Sequence, residues 1–193
     1  FSLLVVALTI FSFSDFTQAP PRPSAKTSTS KFVRPSTAIM MLVCLTLSAM
    51  LAEGAAIDWS VIYMRDIFAT LPLISGLALA LTAFFQFITR YFGDYFVVQY
   101  GPHKVAKICL WIMLVGVILV AVAPAWPLAL VGFACLGAGS SVIFPLAMSA
   151  AAQLKDRPAA VNVAALAQIS FVVFLLAPPL LGLVAEYICI RYA

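Results

Sequence analysis

Charge is what this chain most lacks: charged residues make up 9% of its 193 positions, with seven acids and a single histidine. A soluble domain carries roughly a quarter charged residues. So large a shortage leaves too little polar surface to face water, which excludes a soluble globular domain. With His103 alone, no Ser/His/Asp or Cys/His arrangement can be assembled. Gly137 and Gly139 fall inside an apolar run, so no glycine-rich loop is free to cradle phosphate. Neither an enzyme nor a cofactor is expected. Cys44, Cys109, Cys135 and Cys189 lie in or beside apolar runs with no metal-ligand spacing. They read as small buried hydrophobes, and no metal site is expected. The net charge of +4 forms no basic surface, and no nucleic-acid partner is expected.

What the chain does have is apolar surface, at 64% hydrophobic residues and a mean hydropathy of +1.11. Its solvent is lipid, where every backbone N–H and C=O needs an internal partner, so that only helices or closed barrels span. A barrel would show roughly ten-residue stretches of alternating polarity. Here the runs are unbroken, as at 108–123. The expected fold is therefore all-α, a polytopic transmembrane helix bundle with the lipid bilayer as its partner.

Residues 1–13 are apolar but too short to span, and no basic stretch precedes them as it would in a signal peptide. They read as the tail of a transmembrane helix, and the chain as a fragment of a larger protein. Residues 14–37 are rich in proline, serine and threonine, a linker that cannot bury a core. A bundle over 38–193 follows, with spans expected at about 38–57, 72–89, 106–123, 127–152 and 159–185. Pro72 suits a helix start, where its missing N–H costs nothing. Pro124 to Pro127 form a tight reversal that makes the third and fourth spans antiparallel neighbours. When alternate loops are assigned to opposite sides, nine of the eleven Lys and Arg fall on one side and two on the other. The positive-inside rule then puts the linker and the loop 90–105 on the cytoplasmic side of an inner, plasma membrane. Trp59, Tyr63 and Trp126 would sit at the outer interface, and Tyr91, Tyr95 and Tyr100 at the inner one.

Polar groups within spans are the candidates for function. Glu53 lies in the first segment, about two turns from its expected outer end. An ionisable group there costs at least ~2–3 kcal/mol, so it faces the bundle or an aqueous cavity. Small neighbours at Ala52, Gly54, Ala55 and Ala56 leave room beside it. It reads as a proton-coupling or substrate-binding carboxylate; the plainer reading has it reaching the interface and pairing with Arg65. Asp58, nearer the outer end, is a second candidate on the same pathway. Ser75, Thr82, Gln86 and Thr89 fall on one helical face, with Gln86 the best ligand, although such groups also serve as interhelical hydrogen bonds. Asn162 and Gln168 are six apart and do not share a face; Gln168 is the deeper. Gly132, Gly137, Gly139, Ser140 and Ser141 let helix backbones approach closely. Pro145, Pro178 and Pro179 favour bends.

Arg90, Tyr91, Phe92, Gly93 and Asp94, followed by Tyr100, Gly101, Pro102, His103, Lys104 and Val105, resemble the signature cytoplasmic loop of the major facilitator superfamily. In that family the loop joins the second and third helices of each six-helix half, which is its place here. The chain departs from the pattern at Tyr95, where the family usually has Arg, and at His103, as the weaker copy in the C-terminal half does. The linker, Trp59 with the run from Tyr63 to Asp66, residues 137–145 and residues 177–182 also resemble parts of that half. The resemblance implies the end of the sixth helix through the eleventh helix, with an N-terminal half as the missing partner. It implies alternating access for a small-molecule substrate, and a gating role for Arg90, Gly93, Asp94, Gly101 and Lys104. The expected function is a proton-coupled secondary transporter; the alternative is a non-transporting scaffold or a truncated gene remnant.

Overall fold

Two long helices, each outrunning its expected apolar segment, organise the bundle. The computed structural model describes residues 37–187 and contains no strand among them. Its elements are α1 (Thr37–Phe68), α2 (Pro72–Tyr100), α3 (Pro102–Val122), α4 (Trp126–Ser140), α5 (Ile143–Gln153) and α6 (Ala159–Tyr187). With α4 and α5 taken as one interrupted span, five stretches are long and apolar enough to cross a membrane. The all-α transmembrane bundle is therefore what the structure shows. The helix tail expected at 1–13 and, except for Thr37, which opens α1, the linker expected at 14–37 lie outside the described residues, as do Cys189 and Arg191.

The helices are longer than hydropathy suggests. α1 continues past Ile57 through Asp58 and Arg65, and the segment 90–105 expected as a loop is helical except at Gly101. Hydropathy marks the stretch that lipid accepts, whereas a helix runs until its backbone is broken. Between Thr89 and Tyr100 the one poor helix former is Gly93, which costs only about 1 kcal/mol. At about 1.5 Å per residue, α1 is roughly 48 Å long and α2 roughly 44 Å, against about 30 Å of hydrocarbon, so both project beyond it.

The ends have local causes. Ala69 adopts a left-handed φ of 49°. Thr70 then turns back, and its hydroxyl donates to the Met64 carbonyl at 3.0 Å. Pro72 opens α2, as expected. Gly101, at φ 82° and ψ 152°, is the whole connection between α2 and α3, a backbone conformation that favours glycine.

Glycines set the spacing between helices. A Cβ at Gly116 would lie 2.9 Å from the Gly132 carbonyl oxygen, and one at Gly139 2.6 Å from that of Cys109, so α3 and α4 are the antiparallel neighbours expected. A Cβ at Gly137 would land well inside the contact distance of the Thr82 carbonyl oxygen. The Thr82 hydroxyl donates to the Phe133 carbonyl at 3.3 Å across the same α2–α4 seam. α1 and α6 run parallel: Thr46 and Ser170 hydroxyls meet at 2.9 Å, and further along Trp59 packs near Gly182.

Tyr63 does not sit in an outer aromatic belt. It is buried, and its hydroxyl donates to the Val120 carbonyl at 2.6 Å, because α1 continues far enough to lie beside the end of α3. Val120 is in the last turn of α3, where carbonyls lack intrahelical donors. Tyr63→Phe is expected to lower stability by about 1 kcal/mol, read as an earlier thermal unfolding transition in detergent.

Apolar packing divides into two clusters. The larger draws on α1 to α4 and the first turn of α5, with Met64, Ala78, Met113, Leu130, Phe133 and Ile143 among its buried members. The smaller joins Ile39 and Val43 of α1, Ala147 and Ala151 of α5, and Leu166 of α6. The interruption at Ser141 and Val142 lies where the one gives way to the other.

Candidate functional site: a carboxylate–amide pair at the helix midpoints

Glu53 stands sixteen residues from Thr37 and fifteen from Phe68, at the middle of α1 and not near its outer end. Gln86 stands fourteen residues from each end of α2. Gln86 Nε2 donates to Glu53 Oε1, joining the two helices at mid-depth. Arg65 is instead paired with its neighbour Asp66 at 2.9 Å, so the interfacial Glu53–Arg65 pair is not formed. Both Glu53 and Gln86 remain half-buried. Neither would be stable against lipid, so their open sides face protein or water. Gly54, next to Glu53, accommodates the ring of Phe174: a Cβ there would be 3.1 Å from it. Two turns toward the C-terminal end of α1 on the same face, Ser60 Oγ is buried with no hydrogen-bond partner.

The rest of the expected polar stripe on α2 serves packing. Ser75 bonds Thr70 at 2.8 Å, and Thr82 bonds the Ala78 and Phe133 carbonyls. Gln168 is exposed on α6 and is not brought to the pair: two residues from Ser170, it points nearly opposite to the face on α1. Asp58 is exposed on α1, about 140° around the helix from Glu53. Asn162 is buried and ties down the turn before α6, donating to Asp156 Oδ1 at 2.8 Å.

Among the residues expected to gate, Arg90 is the surprise. It lies only four residues from Gln86, one helical turn on the same face. Its Nε and Nη2 donate to the Ser141 carbonyl at 3.3 and 2.9 Å. Three residues on, Gly93 is buried against Val142. Asp94 is exposed, Gly101 makes the turn, and Lys104 is exposed in the first turn of α3. The signal for Arg90 was present in the sequence: Pro145 has no N–H for the Ser141 carbonyl four residues earlier. Among the described residues, no group of three or more His, Cys, Asp or Glu could hold a metal ion.

Five membrane-length apolar stretches, two of them joined by a carboxylate–amide pair at their helix midpoints, define a multi-pass membrane protein. The chain is 29% identical over 159 residues to an uncharacterized transporter of Sinorhizobium fredii, covering 82% of this chain and 42% of that protein. It is 28% identical over 158 residues to an uncharacterized MFS-type transporter of Yersinia pestis, covering 80% of this chain and 40% of that protein. The chain thus spans less than half the length of these relatives. No family model matches it, and no solved structure does. The chain is thus similar to two transporters, one of them named as of the MFS type, which is the likeness that the residues from Arg90 to Val105 suggested.

Proposed function

We infer that the chain is part of a secondary transporter that moves a small polar solute by alternating access, with Glu53 as the proton-carrying carboxylate. The hydrogen bond from Gln86 to Glu53 carries this reading, because it puts an ionisable group at the middle of two spans. Such groups mark ion and substrate pathways, and transporter sites lie near the bilayer midplane. The transporter names of the two relatives support the same class. The amide suits the role: its N–H₂ serves Glu53 whether or not the carboxyl carries a proton. Release of the proton then changes the charge between α1 and α2 without removing their hydrogen bond.

The proposed orientation puts the Gly101 turn on the cytoplasmic side of the inner membrane. Arg90 leaves the cytoplasmic count, since it lies at a helix interior, but eight positive charges against two keep the sign. Asp94, less than two turns before the end of α2 at Tyr100, retains its proposed gating role: Asp94→Asn is expected to slow transport while membrane insertion is unchanged. Unaltered kinetics in that variant would remove it from the mechanism. The transporter reading itself is tested by solute uptake into vesicles holding the full-length protein. An imposed proton gradient should accelerate uptake of at least one small polar solute, and a protonophore should abolish the effect. No gradient-dependent flux across a broad solute panel would count against it.

A further inference from the structure

The strongest unexplained arrangement is the joint between α4 and α5. Pro145 cannot donate to the Ser141 carbonyl, so the helix loses one bond at mid-span, where lipid offers no replacement. Leu146 N–H still bonds the Val142 carbonyl at 3.1 Å, so the regular ladder resumes one residue later. The Arg90 guanidinium supplies the missing donor twice over, through Nε and Nη2. It also sits at the C-terminal end of α4, where the helix dipole favours a cation.

The surroundings make this a joint. α2 follows α4 closely, at Thr82 against Gly137 and at Gly93 against Val142, where a Cβ on Gly93 would lie 2.8 Å from Val142 Cγ1. Past that point α5 leaves α2 and makes no close approach to it, packing instead on α1 and α6 and, to a lesser extent, on α3. The two apolar clusters meet here as well. Arg90 and Gly93 are thus the last points at which α2 holds the fourth span.

The geometry points to Arg90 as a positioning residue: its guanidinium stands in for the absent N–H of Pro145 and fixes the angle at which α5 leaves α4. When Arg90 lets go of Ser141, α5 is free to swing about this joint relative to α4. The link of that swing to solute movement rests on the transporter reading; the latch itself does not.

The test is hydrogen–deuterium exchange of the full-length protein in lipid nanodiscs, followed over α5. Arg90→Gln should raise exchange there by about tenfold to a hundredfold, the opening expected when a charged hydrogen bond is lost, with α3 unaffected. Adding Pro145→Ala restores a backbone donor to Ser141, so the double variant should return to wild-type protection. Unchanged exchange in Arg90→Gln, or no recovery on adding Pro145→Ala, overturns the latch. If Arg90→Gln fails to accumulate, Arg90→Lys in the same two backgrounds decides the matter, with a smaller rise expected. Solute flux is the second readout: the double variant, its joint straightened, should be protected yet slow, and wild-type flux in it would refute the swing. Absence of flux in the wild type would tell against the transporter reading and leave the exchange result standing.

Discussion

Gly137→Ala is expected to destabilise the bundle by about 3 kcal/mol, near the upper end for overpacking. The added methyl would meet the Thr82 backbone oxygen, which cannot rotate aside as a side chain could. α2 and α4 would have to part. Their separation would stretch the bond from the Thr82 hydroxyl to Phe133 and loosen Arg90 from Ser141. Gly76→Ala is the matched control, because nothing lies within 4 Å of a Cβ there. That change should be neutral or stabilising by up to about 1 kcal/mol through helix propensity. The comparison is made by unfolding both variants in the same detergent. Equal stability of Gly137→Ala and wild type would mean that the two helices do not approach as described.

Glu53→Gln should abolish proton-driven accumulation while the protein folds and inserts normally. Glutamine keeps the length and an acceptor oxygen for Gln86, but it cannot carry a proton. Removing an ionisable group from mid-span does not penalise insertion. One proton crossing 100 mV supplies about 2.3 kcal/mol, enough to hold roughly a fiftyfold solute gradient. That gradient is the expected loss, with downhill exchange of solute continuing. The measurement is uptake against a concentration difference at several external pH values. PH-dependent accumulation surviving in Glu53→Gln would assign the coupling elsewhere.

The number of spans, the α3–α4 reversal, the proline opening α2 and the glycine packing of α4 were all legible in the sequence, because each has a local cause. Helix ends were not, since Asp58 to Asp66 and Arg90 to Tyr100 are polar enough to look like loops yet contain nothing that stops a helix. That error moved Glu53 from the middle of its helix to near its end. Glu53 and Gln86 were each legible as candidates. Their pairing was not, because the register of α1 against α2 depends on the turn at Ala69 and Thr70. Arg90 is illegible for the same reason as Glu53: a segment polar enough to look like a loop gives no sign that its side chain reaches a carbonyl inside the bundle.

Only Ala123, Pro124 and Ala125 join α3 to α4, too few residues to let one helix settle in the bilayer while the other waits outside. The two must leave the insertion machinery as a hairpin. Their glycine seam, Gly116 on Gly132 and Gly139 on Cys109, can close as soon as the hairpin is free. The order of synthesis then favours assembly, for α1 and α2 are already in the membrane when the hairpin arrives. α4 can slot against α2 before α5 and α6 exist, and the Ser141 carbonyl finds Arg90 waiting for it.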